Sequence, residues 1–294
     1  MSIPYYMVDV FAERKYAGNQ LAVLRTGSLS DDEMQQIARE TKFSETTFIL
    51  RDEPRDGGYD VRIFTPVYEM PFAGHPTLGT AYVIQQHIIG QPVDTVVLNL
   101  KVGQIPVKFH YEEGVPGELW MTQKAPTFGE IIPPERIMAS LGLDASDLDP
   151  RFPARLVSTG SWFAIAPLAS RDAVKKARVH FDPQYALQQE TSAHGILLFC
   201  AEPYEAGNTL NARGLFAGAL DSDEDPATGS ANGCLAAYLV EHRYFGGESI
   251  DIRVEQGYEI KRPSILMLRA AREGGTIRVQ VGGRVVPVAK GVWG

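Results

Sequence analysis

The sequence is expected to fold as an α+β protein of two pseudo-symmetric domains, each a curved mixed or antiparallel sheet rolled around a central helix. Three observations carry that expectation. A short string occurs twice, about half a chain apart: Glu69-Met70-Pro71-Phe72-Ala73-Gly74 and Glu224-Asp225-Pro226-Ala227-Thr228-Gly229 both read Glu-x-Pro-x-x-Gly. Each copy leads into an apolar run of helical length, and Cys234 to Val240 holds no charged residue at all. A helix without a polar face has to be enclosed, so sheet should wrap each of these runs on most sides. Strand-like segments make up most of the remaining pattern in both halves.

Taken in order, Ile3 to Val10 reads as a strand, followed by a loop through Gly18-Asn19 and a short strand at Leu21 to Leu24. Ser30-Asp31-Asp32-Glu33 is a capping-box signature, and the helix behind it places Met34, Ile37 and Ala38 on one face. Ser44-Glu45-Thr46-Thr47 turns into a strand over Thr46 to Leu50, and Tyr59 to Phe64 is another. Pro76 suits the first position of the following helix, where a missing N–H is not needed. Thr95 to Leu100 and Ile105 to Tyr111 form a hairpin pattern about Gly103, with a third strand at Glu118 to Thr122. The Pro- and Gly-containing stretch Ala125 to Pro134 is the linker candidate. Beyond it, strands are expected at Arg155 to Ser158, Trp162 to Pro167, Ile196 to Cys200 and Leu210 to Phe216. A helix from Ser230 to about His242 follows, then strands at Ser249 to Val254, Ile265 to Ala271, Thr276 to Val281 and Arg284 to Val288.

At 294 residues the chain has room for one large or two ordinary domains. The boundaries read as 1–125, joined by a C-terminal strand at about 285–294, and 126–284. Apolar content of 44% and charged content of 22% are those of a globular protein, and a net charge of −8 argues against a nucleic-acid partner. No run reaches the roughly 18 apolar residues of a membrane span, so no membrane partner is expected. Met1 to Val10 lacks the basic start of a signal peptide, and only Cys200 and Cys234 occur, which fits a reducing cytoplasm. The six histidines are scattered without metal-ligand spacing, and no phosphate-cradling glycine motif is present. Neither a metal nor another cofactor is therefore expected.

The repeated loops are the places for chemistry. Ala73-Gly74-His75-Pro76 and Thr228-Gly229-Ser230-Ala231-Asn232 each open a helix, whose first N–H groups attract anions. Two such ends facing each other would make a small cleft for a carboxylate, although glycine before a helix also serves plain turn formation. His75 suits either proton transfer near neutral pH or an N-cap role. Asp225 suits either proton exchange or an Asx turn before Pro226. Glu69 and Glu224, sharing the repeat position, read as loop-holding residues. Glu45 has no alignable counterpart in the second half, and a carboxylate partly buried beside an anion-binding cleft would have a raised pKa.

Ser44-Glu45-Thr46-Thr47-Phe48, Pro71-Phe72-Ala73-Gly74-His75-Pro76 and Glu224 to Ala231 closely resemble the motifs of the PhzF-like (phenazine biosynthesis) isomerase family. Gly18-Asn19, Gln256-Gly257 and Arg262-Pro263-Ser264 extend the resemblance over nearly the whole chain. It implies the diaminopimelate epimerase fold with an active site between the two domains. By resemblance, Glu45 is the proton shuttle, His75, Asp225 and Ser230 line the pocket, and Asn19, Ala73, Gly74, Thr228 and Gly229 contact substrate. A homodimer and a small carboxylate substrate are implied in the same way. Gln20 departs from the family, many of whose members have proline there.

Related epimerases use one cysteine in each motif. Aligning the glycines puts Ala73 and Thr228 at those positions, and neither is a thiol base. The expected activity is thus a cofactor-independent isomerase that moves a proton and a double bond on a small, conjugated carboxylic acid. An amino-acid racemase and a non-catalytic binder of small carboxylates are the alternatives.

Overall fold

The computed structural model describes residues 2–218 and 223–294. The chain divides into two units, residues 1–121 with 282–294, and residues 122–281.

In the first unit, β1 (Ile3–Val10), β2 (Asn19–Arg25), α1 (Asp31–Thr41), β3 (Glu45–Ile49), β4 (Tyr59–Phe64) and β5 (Glu69–Met70) precede α2 (Gly74–Ile84). β6 (Thr95–Leu100), β7 (Gly103–Glu112) and β8 (Val115–Thr122) follow it. β1 and β2 are antiparallel, β2 and β3 parallel, β3 and β4 antiparallel, and β4 then pairs with β6 in parallel. β6, β7 and β8 continue as an antiparallel meander. Ser30 caps α1 with the full reciprocal box to Glu33, so that helix starts where the sequence places it. Every residue of α2 is buried, and the helix contacts β1, β2, β3, β6 and β7.

The second unit holds β9 (Thr127–Ile131), α3 (Pro134–Leu141), β10 (Arg155–Ser158), β11 (Trp162–Pro167), α4 (Arg171–Lys176) and α5 (Phe181–Thr191). β12 (Ile196–Cys200), β13 (Leu210–Leu215), β14 (Glu224–Asp225), α6 (Gly229–Glu241), β15 (Ser249–Gln256) and β16 (Ser264–Glu273) complete it. β17 (Thr276–Trp293) then carries the chain back, and its second half pairs antiparallel with β1 from Val10↔Val285 to Ile3↔Trp293. All of α6 is buried except Ser230 and Glu241, against β10, β11, β12, β15 and β16.

The two units repeat one pairing scheme. β11–β12 is parallel, β12–β13 antiparallel and β13–β15 parallel, matching β2–β3, β3–β4 and β4–β6. The duplication reaches an arginine that the motif comparison passes over. Glu69 lies opposite Phe64 and Glu224 opposite Leu215, and two residues before each partner stands Arg62 or Arg213. Arg62 donates to both oxygens of Glu69 at 2.9 and 2.7 Å, and Arg213 donates to Glu224 Oε2 at 3.1 and 2.6 Å. Both motif glutamates therefore tie the short strand before the helix to the sheet, as their shared position implies.

Several expectations need correction. Ala125 to Pro134 is not a linker: residues 127–131 form β9, paired with β10. Its prolines punctuate a helix instead, with Pro133 as N-cap and Pro134 the first residue of α3. α3, α4 and α5 are not among the expected elements: α3 begins at the end of that proline-containing stretch, α4 is too short for a clear period, and α5 mixes polar with apolar positions. The two late strands at Thr276 to Val281 and Arg284 to Val288 are one 18-residue strand. Gly282 does not break it; the Trp120 ring occupies the space a side chain there would need. Pro76 is the third residue of α2, not the first, still within the turn that lacks intrahelical acceptors. Among the described residues no helix is long and apolar enough to cross a membrane.

Gly79 sets how closely α2 approaches the sheet, since a Cβ there would lie 2.6 Å from Leu21 Cδ2 and 2.8 Å from Val10 Cγ2. Replacing a helical glycine by alanine ordinarily gains about 1 kcal/mol, whereas overpacking a filled core costs about 1–3 kcal/mol. Gly79→Ala is expected to lower unfolding stability by roughly 1–2 kcal/mol in urea titration. A stabilised variant would show that the helix–sheet contact is slack.

Candidate active site

Glu45 is the first residue of β3 and pairs in register with Leu21 of β2. Glu45 and Thr47 share a strand face, and both meet α2: Glu45 at His75 and, through a 2.8 Å hydroxyl contact, Thr47 at Thr80. Two strand residues rise about 6.7 Å and five helical residues about 7.5 Å, so the two contacts fit one strand lying along one helix. That match holds the Glu45 carboxyl at the helix N-terminus.

His75 is buried, with Nε2 3.4 Å from Glu45 Oε2. Burial drives the imidazole pKa down from 6.5 to about 3, while a hydrogen bond to the Gln20 backbone pulls it upward. That bond favours the protonated ring, so the ring is its donor and the Gln20 carbonyl its acceptor. Among the described residues Nε2 has no hydrogen-bond partner, which leaves Nδ1 as the donor and Nε2 as a lone pair facing Glu45. The Glu45–His75 contact is consequently not an ion pair but two acceptor atoms that one proton would join. Glu45 keeps 14% of its side-chain surface open, and His75 stands behind it. His75 does not act as an N-cap: Ala73 holds that position and His75 is the second residue of α2. Because Gln20 contributes its carbonyl, a proline at that position would preserve the same acceptor. Asn19 starts β2 and is buried.

The first turn of α2 offers N–H groups from Gly74 and His75 only, since Pro76 has none. The first turn of α6 offers those of Gly229, Ser230 and Ala231, and neither turn contains an acidic residue. Ser230 is the one residue of that turn left partly open.

In the second unit Thr228 Oγ1 donates to Asp225 Oδ2 at 2.7 Å. The loop hangs on Gln256, fully buried at the end of β15 and not among the site residues expected from the sequence. Gln256 Nε2 donates to the Asp225 carbonyl at 2.9 Å and to Thr228 Oγ1 at 3.1 Å. Gln256 Oε1 accepts from the Thr228 N–H at 3.2 Å and from Asn232 Nδ2 at 2.8 Å. Both ends of the amide are used, so the loop has one favoured position. The signal was the Gln256-Gly257 pair, whose role could not be assigned without knowing what packs beside it.

The expected site residues thus fall into two groups. Asn19, Glu45, Ala73, Gly74 and His75 lie in the first unit; Asp225, Thr228, Gly229 and Ser230 lie in the second. Registers explain why Glu45 has no double. Phe64 opposes Thr46 and its counterpart Leu215 opposes Ile196, so Gly195 occupies the place of Glu45. A Cβ at Gly195 would lie 2.7 Å from Phe216 Cδ1, leaving no room for any side chain.

Ala73 and Thr228 are the N-caps of α2 and α6, equivalent places that lack thiols. Burial pushes Cys234, in mid-α6, up to about 12 and Cys200, on β12, up to about 11. Neither thiol is available as a base near neutral pH. Among the described residues no three His, Cys, Asp or Glu side chains gather as metal ligands.

A family model described as phenazine biosynthesis-like protein matches residues 8–291. The chain belongs to the PhzC-PhzF family. It is 34% identical over 290 residues to the trans-2,3-dihydro-3-hydroxyanthranilate isomerase of Pseudomonas aeruginosa, covering 98% of each chain. The crystal structure of a PhzF-family phenazine biosynthesis protein from Bacillus anthracis superimposes with a TM-score of 0.91 at 26% identity, over 100% of this chain and 99% of that one. A probable proline racemase from Agrobacterium radiobacter shares the fold alone, with a TM-score of 0.65 at 11% identity over 98% and 92% of the chains. The PhzF family members match this α+β fold with sheet closed around its helices, and the chain is an isomerase of this family.

Two outcomes follow from this geometry. The unfolded His75 ring binds a proton near pH 6.5 and the folded ring only near pH 3. Its burial therefore contributes stability that is complete above pH 6.5 and is lost as pH falls through that window. Nitrogen-15 spectra should show His75 neutral, protonated on Nδ1, down to about pH 4; titration near pH 6.5 would contradict the assignment. Gln256→Met should lower unfolding stability by about 2–3 kcal/mol by stranding buried polar partners, and unchanged chemical denaturation would show that the amide holds nothing.

Proposed function

We propose that this chain is a cofactor-independent isomerase that moves a proton and a double bond on a small conjugated carboxylic acid. The substrate class is that of trans-2,3-dihydro-3-hydroxyanthranilate, the compound in the name of the 34% identical relative. The observation that carries the reading is the single carboxyl of Glu45, partly open, against the buried neutral ring of His75.

In this reading Glu45 removes a proton from a carbon next to the substrate's double bond. The C–H electron pair forms a new C=C bond, the old π pair moves one position along, and negative charge spreads toward the carboxylate. Protonated Glu45 then returns the proton to the far end of the conjugated system, so the formula of the substrate is unchanged. While it carries the proton, Glu45 can donate a hydrogen bond to His75 Nε2, which holds the carboxyl in place without taking the charge. The first-turn N–H groups of α2 and α6, with Ser230, bind the substrate carboxylate and stabilise developing charge. Asp225 is assigned to proton exchange or to substrate contact beside Thr228, with Asn19, Ala73, Gly74 and Gly229 lining the site. The reaction is placed in the cleft that the family resemblance implies. The racemase alternative needs two thiolates that Ala73 and Thr228 do not supply.

General acid–base catalysis contributes about 10²–10⁴-fold. Glu45→Gln should therefore reduce turnover of trans-2,3-dihydro-3-hydroxyanthranilate by at least about 10²-fold with an unchanged unfolding curve. The wild-type protein run in D₂O should place deuterium on a product carbon. Full activity in the variant would defeat the assignment of Glu45, and binding without any label would favour a carboxylate-binding protein.

A further inference from the structure

A cavity of about 520 Å³ opens in the second unit, lined by Lys175, Arg178, Tyr204, Arg213, Glu224 and Glu259 among others. That is within the usual range of about 300–1,000 Å³ for small-molecule sites. Its charges are not evenly used. Arg213 is spent at the floor: Nη1 donates to the Val174 and Ala177 carbonyls at 2.8 and 2.9 Å, while Nε and Nη2 hold Glu224. In the first unit the equivalent glutamate, Glu69, is met by Lys101 Nζ at 2.5 Å as well as by its arginine. In the second unit the cavity lies beside Glu224.

Two cations remain at the wall. Arg178 uses Nη1 on the Lys175 and Ala177 carbonyls, at 2.6 and 2.7 Å, and has no carboxylate partner among the described residues. Among the described residues Lys175 reaches only Asp172, at 4.0 Å, and the Tyr204 ring, at 5.2 Å. Opposite in sign, Glu259 accepts from the Tyr204 hydroxyl with Oε1 at 2.8 Å. Its Oε2 is shielded from solvent and accepts no hydrogen bond among the described residues. A buried carboxylate oxygen without a donor costs free energy that a bound cationic N–H group would relieve.

We propose that this cavity is a second ligand site, for a small zwitterion carrying a carboxylate and an ammonium group, an α-amino acid being the simplest case. Arg178 and Lys175 take the carboxylate, and Glu259 Oε2 takes the ammonium. A simple anion would meet the two glutamates with nothing to offer them, and a simple amine would meet the two cations. Only a molecule with both charges satisfies both walls.

The test is calorimetric titration of the full-length protein with L-alanine, acetate and methylammonium. L-alanine should bind saturably at one site and at least about tenfold more tightly than either singly charged probe. Arg178→Gln keeps a donor for the carbonyls, and Glu259→Gln keeps an acceptor for Tyr204; each should weaken L-alanine binding at least about tenfold. Glu45→Gln should bind L-alanine as the wild type does, which separates this site from the proposed reaction centre. The proposal is overturned if L-alanine does not bind, if acetate binds equally well, if either cavity variant binds as the wild type does, or if Glu45→Gln abolishes binding.

Discussion

Everything at the candidate site depends on the enclosure of a helix that has no polar side. α2 is buried along its whole length, so sheet must surround it. That enclosure puts the free N–H groups of Gly74 and His75 beside the start of β3, where His75 meets Glu45. The same enclosure excludes water from the His75 ring and so keeps it neutral. Packing thus sets the electrostatics here, and no charged neighbour is needed to do so.

Duplication supplies the frame, and departures from it supply the chemistry. Both units secure the strand before the helix with an arginine–glutamate pair at matching registers. A pair as buried as Arg213–Glu224 is hard to lose one partner at a time, because the survivor would be left as an uncompensated charge. At the position of Glu45, by contrast, the second unit has Gly195 with Phe216 packed over it. The contact between Thr47 and Thr80 in the first unit has Leu197 and Leu235, both buried, at the corresponding places of the second. One half therefore carries a polar strand–helix lock with a carboxyl at its end, and the other carries an apolar version of the same joint.

Much of this was legible in the residues. The capping box at Ser30, the enclosed helices and most strands follow from local period and punctuation, which act over a few residues. The linker reading of Ala125 to Pro134 failed because proline marks helix starts as readily as it marks loops, and Pro134 does the former. The two strands expected at Thr276 to Val281 and Arg284 to Val288 are continuous because Trp120 fills the missing side chain of Gly282 and the strand runs on. At the site, Glu45, His75, Asp225 and Ser230 stood out through motif position. Gln256 did not, since a lone glutamine says nothing about which backbone groups it will face.

By itself, the sequence determined that two similar halves each enclose an apolar helix behind a Glu-x-Pro-x-x-Gly turn, and that no thiol stands at either turn. Those are properties of spacing and side-chain type. Tertiary structure decided that His75 is neutral and points Nε2 at Glu45, that Gln256 holds the second loop, and that Gly195 leaves Glu45 without a double. Each of these depends on which atoms meet across long stretches of chain, and hydrogen-bond direction and desolvation are defined only once they have met.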